Sequence, residues 1–389
     1  MKNIYTIILL TAFGVNSWSQ IGHTTITFND DLRTGGFGSG GGAGRQIQSE
    51  VYYPAATTAN DVPVVGTNLP VIVFGHGFSM TWDAYDNVWT SLVAEGYVVV
   101  FPRTESGISP THLEFGKDLA LVASKMQLLN SNVSSIFNGK LSTKTALMGH
   151  SMGGGCAYLD PTYSGANIET IVTYGAAVTN PTCVTTSANI TIPNLIISGS
   201  NDCVAPPVSH QDLIYTALAA SSKTHLYVTG GSHCYFANNS FTCAFGEATC
   251  TPAPTISKLE QQDVTSDHVN LWLGYYLKDI CSNATAFQDS LSLSNRTTFV
   301  QATPLACGIG NLDVYAALVV KVFPNPSSTN FELNNFPLHA TWIISDLNGR
   351  IILKGDSNIV LASSLMKGIY YLAVETDNGE IQRIVIEKL

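Results

Sequence analysis

The sequence predicts an α/β domain, a mostly parallel sheet flanked by helices, joined to a small C-terminal all-β sandwich domain. Three observations predict it. Short apolar runs alternate with segments of helical spacing from about residue 69 to residue 278. One of those runs, "KTALMG", leads straight into a serine set among glycines, "HSMGGG". Beyond Cys307 the helical spacing stops, and short strands with turn signals take over.

The elements follow in order. Alternation over His23–Phe28 predicts a strand. Next comes "TGGFGSGGGAG", residues 34–44, with a G-x-G-x-x-G match at Gly36, Gly38 and Gly41. A dinucleotide fingerprint needs a strand before it and a helix after it. Here "RQIQSEVYYP" follows and alternates like a strand, so the segment predicts a mobile glycine loop, not a phosphate cradle. "LPVIVFGHG" predicts a buried strand, "WDAYDNVWTSLVAEG" a helix closed by Gly96, and "YVVVFP" a strand. "HLEFGKDLALVASKMQLLN" predicts a helix with Leu119, Val122, Met126 and Leu129 on one face. The strand "KTALMG" precedes the serine; "IETIVTYG", "PNLIISGS" and "THLYVTGG" predict further strands, "VSHQDLIYTALAAS" a helix, and a last helix covers roughly residues 269–278. Such alternation calls for a sheet covered on both faces. In the C-terminal part, "VFPNPSSTNFEL", "TWIISDLNGRIIL", "LMKGIYYLAVETDNG" and "EIQRIVIEKL" read as strands, with turns at Asn348-Gly349 and Asn378-Gly379.

Composition narrows the function. The 389 residues are 45% hydrophobic, enough for one large core, and only 12% charged, with a net charge of -10. That balance argues against a nucleic-acid partner, which needs a basic face. The start, "MKNIYTIILLTAFGVNSWSQ", has a basic Lys2, an apolar stretch from Ile4 to Val15, and small residues at Ser17 and Ser19. It reads as a signal peptide cut near Ser19 or Gln20, and the stretch is short for a membrane span. The expected organisation is a signal peptide at 1–19, a main domain at 21–307, a linker at 308–320 and a β module at 321–389, in a chain expected to be monomeric.

Strand, G-x-S-x-G, then helix is the setting of a nucleophile elbow. Here it is Gly149-His150-Ser151-Met152-Gly153. Small neighbours let the chain turn sharply, and the hydroxyl then stands clear at the C-terminal edge of the sheet. A serine needs a base, and this elbow uses the chain order Ser, acid, His. Asp202 follows the strand "LIISGS", and His233 follows the strand "HLYVTGG". Both sit at the strand ends where such sheets place ligands. His76 lies in "GHGF", His150 touches the serine in sequence and is expected to line the pocket, His210 and His225 fall within predicted elements, His268 is near the last helix, and Asp160 follows the elbow too soon. The expected oxyanion donors are the N–H groups of Met152 and Phe78.

Export exposes the eight cysteines to oxidising conditions, so up to four disulfides are expected. Cys203 follows Asp202 and Cys234 follows His233, which suggests a Cys203–Cys234 bridge between the acid and base loops. Cys243–Cys250 would close a small loop, Cys281–Cys307 would tie down the end of the main domain, and Cys156–Cys183 is the remaining pair. A metal site on His233, Cys234 and Cys203 is the alternative; export and the lack of C-x-x-C spacing favour disulfides.

"GHSMGGG", "GSNDCVAP" and "GGSHC", with "GAGRQIQSEVYYPA" upstream, resemble the α/β-hydrolases of the dienelactone hydrolase and cutinase-like polyesterase group, which includes bacterial poly(ethylene terephthalate) hydrolases. The similarity covers roughly Ile21 to Cys307. It implies an α/β-hydrolase fold with Ser151 as nucleophile, His233 as base, Asp202 as its orienter, and Phe78 as an aromatic residue that flanks the substrate. The tryptophan such polyesterases often carry after the sixth strand is missing from "TYGAAVTN"; Val178 is the nearest match, and Tyr235 and Phe236 are further candidates to line the cleft. "VFPNPSS", "ISDLNGRII", the stretch from Leu361 through "KGIYYLAV", and "RIVIEKL" resemble the C-terminal sorting domain of the type IX secretion system of Bacteroidetes. An accessory surface-binding β module is the other reading of that segment.

The sequence therefore leads to an exported serine carboxylic ester hydrolase that needs no cofactor and has an ester or polyester as substrate and the type IX machinery as partner. A lipase, dienelactone-type hydrolase or peptidase on the same scaffold, and a non-catalytic surface-binding protein, are the rival expectations.

Overall fold

In the computed structural model, the described residues are 20–238, 240–307, 320–337, 340–346, 350–375 and 381–389. The expected signal peptide, nearly all of the expected linker and both Asn-Gly turns of the β module lie outside them. Contacts divide the chain into two units, Met1–Cys307 and Gly308–Leu389.

The first unit is built on one sheet. Its principal strands are β1 (Gln20–Asp30), β2 (Arg45–Ala55), β3 (Leu69–Gly75), β4 (Val98–Pro102), β5 (Leu141–His150), β6 (Thr170–Tyr174), β7 (Asn194–Gly199), β8 (Lys223–Val228) and β9 (Thr297–Gln301). Their order across the sheet is β1-β2-β4-β3-β5-β6-β7-β8-β9. Strands β3 to β8 pair in parallel, whereas β1, β2 and β9 join antiparallel. Every residue of β3 and β4 is buried, because helices cover both faces. Successive side chains go to opposite faces: Val71 and Val73 enter one core with Val98, Val100, Leu147 and Ile171, while Ile72 and Phe74 enter the other with Val99, Phe101, Met148 and Val172.

The helices are α1 (Asp86–Ala94), α2 (His112–Leu129), α3 (Met152–Cys156), α4 (Cys183–Ser187), α5 (Gln211–Ala217), α6 (Phe241–Glu247), α7 (Lys258–Lys278) and α8 (Ser282–Leu293). Leu119, Val122 and Met126 of α2 are buried as its spacing predicts, with Leu129 half-buried at its end. Helix α7 starts eleven residues before the expected position, at Lys258, capped by the Ser257 side chain. Its first turns are polar, and buried Gln261 there bonds both backbone groups of Ser232, so no apolar stripe announces them.

The glycine segment is tied down. Gly36 and Phe37 pair with Gln46 and Ile47, and strand β2 rather than a helix follows. Beside it, buried Asp118 accepts hydrogen bonds from Arg33, Arg45 and Thr104, the pairing a buried carboxylate needs. Among the described residues no helix is long and apolar enough to cross a membrane.

The second unit has a three-stranded sheet (Lys321–Phe323, Asn330–Asn334, Ile359–Leu361) and a four-stranded sheet (Thr341–Ser345, Ile351–Gly355, Gly368–Glu375, Ile381–Lys388), both antiparallel. Alternate residues Phe331 and Leu333, Trp342 and Ile344, and Tyr370, Leu372 and Val374 share its core.

Candidate active site

Ser151 joins β5 to α3 with φ 52° and ψ -119°. A side chain at positive φ is strained and persists only where its surroundings fix it. Here they do. The Ser151 N–H donates to Tyr174 O at 2.9 Å, and its carbonyl accepts from Gly155 N at 3.0 Å and Ala177 N at 2.9 Å. The glycine cluster answers to packing. A Cβ on Gly153 would stand 2.2 Å from both the carbonyl carbon and oxygen of Gly75. The first turn of α3 thus rests directly on the end of β3.

The loops that carry Asp202 and His233 meet next to this turn. His233 Nδ1 donates to Asp202 Oδ2 at 2.6 Å, and both side chains are buried. Asp202 Oδ1 accepts from Val204 N at 2.9 Å and Ala205 N at 2.8 Å. These bonds leave the carboxylate no freedom to rotate, and they fix a proton of the ring on Nδ1. Gly175, the residue after Tyr174, closes the link to the serine: with φ 49°, a Cβ there would lie 3.1 Å from His233 Nδ1 and 3.3 Å from Asp202 Oδ2. The loops also bond through their main chains, Asn201 N to Gly231 O at 2.8 Å.

The disulfides correct the expected pairing. They are Cys203–Cys250, Cys234–Cys243 and Cys281–Cys307. Only the last is the expected one. The Asp202 and His233 loops are already joined by the Asp202–His233 and Asn201–Gly231 bonds, and each sends its cysteine instead to the same third segment, which carries α6. With Cys203 and Cys234 bridged, neither is a metal ligand. Cys156 and Cys183 are buried free thiols whose pKa values burial pushes up. Both pack as small apolar groups in the core.

Met152 is the first residue of α3, so its N–H has no acceptor within the helix. Phe78 is 47% exposed, on the loop after β3. A chain of hydrogen bonds anchors that loop. Gly77 N donates to the Tyr85 hydroxyl at 2.8 Å, Tyr85 lies 3.0 Å from His150 Nδ1, and His150 Nε2 lies 3.1 Å from the carbonyl of His233. The carbonyl can only accept, so His150 carries its proton on Nε2 and accepts from Tyr85. Burial, then the nearby His233, push the His150 pKa down and keep it neutral.

Two expectations about the cleft change as a result. His150 and Phe236 are almost completely buried and offer a substrate no surface; Phe236 stacks on Tyr174 with ring centres 5.4 Å apart. Val178 is half-buried, and its N–H donates to His210 Nδ1 at 2.9 Å. Tyr235 is half-buried, with Lys258 Nζ 5.9 Å from its ring centre. His76 is buried between the carbonyls of Gly77 and Thr104. His225 and His268 are buried, held by Ser198 and by the Val264 carbonyl. Tyr85, Gln261 and Glu247 were not foreseen. Glu247 Oε1 accepts from His233 N at 2.7 Å and Cys234 N at 3.2 Å; its one sequence signal is its place between Cys243 and Cys250.

A PET hydrolase-like family model matches residues 20–248, more than half of the chain. The chain belongs to the PET hydrolase-like family. A model described as a secretion system C-terminal sorting domain matches residues 321–387. This PET hydrolase-like protein is therefore a hydrolase with a sorting tail of the type IX system, which places it outside the cell or on its surface. The mostly parallel sheet flanked by helices is that of an α/β-hydrolase, in keeping with this family.

Proposed function

We propose that the protein is a secreted serine carboxylic ester hydrolase working through Ser151, His233 and Asp202. The observation that carries the reading is the buried 2.6 Å bond between His233 and Asp202, set against Gly175, one residue from the strand end that holds Ser151. Ser151 Oγ attacks the ester carbonyl as His233 Nε2 takes its proton. The N–H groups of Met152 and Phe78 stabilise the oxyanion, a contribution on the order of 10²–10³ in rate per donor. The tetrahedral adduct collapses, His233 returns the proton to the departing alcohol, and the acyl group stays on Ser151. Water, deprotonated by His233, then releases the acid and restores the serine. Asp202 holds the imidazole tautomer and balances the imidazolium charge.

Polyesters of the PET type are the substrate class we propose, on the strength of the family and of the exposed Phe78 ring at the rim. In the proposed organisation, residues 1–19 are a signal peptide, 21–307 the catalytic domain, 308–320 a linker and 321–389 the sorting domain. The test is a panel of p-nitrophenyl esters of varied chain length, an anilide and polyester film, run on the wild type and Ser151→Ala. Ester turnover that disappears in Ser151→Ala supports the reading; turnover that survives the substitution removes it.

A further inference from the structure

Helix α6 poses a question of its own. None of its residues is buried, and Phe241 and Phe245 are largely exposed, so apolar burial does not hold it in place. Covalent bonds do. Cys243 is bridged to Cys234, the residue after the base, and Cys250 to Cys203, the residue after the acid. The acid loop adds a third tie, Asn201 Nδ2 to Ala253 O at 2.8 Å. From this segment Glu247 reaches back, and its Oε1 accepts the main-chain N–H groups of His233 and Cys234 at 2.7 and 3.2 Å.

Those two donors are the ones that need an acceptor. His233 already has helical dihedrals and precedes a single 3-10 turn, Cys234–Phe236, with no side-chain cap of its own. The first N–H groups of a helical turn have no partner within it, and a carboxylate is the strongest acceptor available. A bond to the N–H of His233 fixes the Cα from which the imidazole hangs. From the other side, the His233 carbonyl is held by His150 Nε2 at 3.1 Å.

We infer that Glu247 is a positioning residue for His233, and that the two disulfides on residues 243 and 250 serve to deliver its carboxylate to the main chain of the base. This rests on the triad reading above. Glu247 touches no reacting atom. It acts by holding the imidazole where it can take the serine proton, and displacement of a catalytic group by about 1 Å costs on the order of 10²-fold in rate.

The test uses the full chain with p-nitrophenyl butyrate, a fluorophosphonate probe and melting curves, on the wild type, Glu247→Ala, Glu247→Gln and Cys203→Ser/Cys250→Ser. Glu247→Ala should lower kcat by roughly 10- to 100-fold with KM within about twofold, and slow fluorophosphonate labelling by a similar factor. Glu247→Gln keeps an oxygen acceptor and should return to within about threefold of the wild type. Opening the Cys203–Cys250 tie should slow the wild type but add little to Glu247→Ala, because both act through one contact. Wild-type kcat in Glu247→Ala, failure of glutamine to rescue, a loss that merely follows melting, or additive losses would each overturn the inference. A wild type that neither labels nor turns over would instead remove the triad reading beneath it, and the two failures are told apart by that control.

Discussion

The Tyr85 hydroxyl bridges Gly77 N, 2.8 Å away, and His150 Nδ1, 3.0 Å away. One phenol therefore joins the loop that bears Phe78 to the strand end that bears Ser151, and His150 extends the chain to the His233 carbonyl. Tyr85→Phe leaves a buried N–H and a buried ring nitrogen without partners. Each of the two orphaned groups costs about 1–3 kcal/mol, so a fall in melting temperature of roughly 3–10 °C is expected by calorimetry. A variant that melts with the wild type would show that this chain does not hold the site together.

Gly153→Ala tests the glycine cluster. Its Cβ would stand 2.2 Å from Gly75 carbonyl atoms, which are main chain and cannot swing aside. Either β3 or α3 must shift, and overpacking of this kind costs about 1–3 kcal/mol or more. The soluble variant should lose at least tenfold in ester turnover, because the donor loop and the serine turn separate. Unchanged kinetics would mean that the close packing is incidental.

Thiol titration separates the observed cysteine pattern from four bridges. With Cys156 and Cys183 free and buried, the native protein should react slowly with a thiol reagent, and the unfolded, unreduced protein should show the thiols of those two residues. Absence of thiols after unfolding would mean that they are bridged.

Stability should depend on pH in one direction. His76, His112, His150, His210, His225 and His268 are all pushed below the ordinary imidazole range, in each case by burial first of all. The unfolded chain takes up protons near pH 6.5, whereas the folded chain resists them, so stability is full above that pH and is lost as pH falls below it. His23 runs the other way, raised first by its hydrogen bond to Glu50, but it is one against six. The buried His76, His150, His225 and His268 carry most of this loss, and the half-buried His112 and His210 carry less. Melting temperature should therefore drop from pH 7.5 to 5.5; a flat or rising curve would contradict the assignment.

Much of this molecule is legible in its sequence, and what is not has identifiable causes. Strands β3 to β8 announce themselves because burial on both faces demands apolar runs, and the serine turn because only glycines permit its contacts. Asp202 and His233 can be located because both follow such strands. The start of α7 is hidden because Gln261 spends its side chain on Ser232, which breaks the apolar spacing. Helix α6 is hidden because bridges rather than apolar burial fix it. The disulfide partners are hidden for a related reason: the Asp202 and His233 loops lie side by side, yet their neighbouring sulfurs bond to a third segment. His150 and Phe236 show the same limit, since adjacency in sequence to a functional residue does not tell which side of the chain faces the cleft.

The central claim is that Ser151, His233 and Asp202 act as one proton-relaying unit, and active-site labelling tests it most directly. The full chain is treated with a fluorophosphonate, and the adduct is located by peptide mass mapping, in the wild type, Ser151→Ala and Asp202→Asn. A single adduct on Ser151 is expected, none in Ser151→Ala, and labelling slowed by on the order of 10⁴ in Asp202→Asn. An adduct on another residue, or ester hydrolysis that continues in Ser151→Ala, would contradict it.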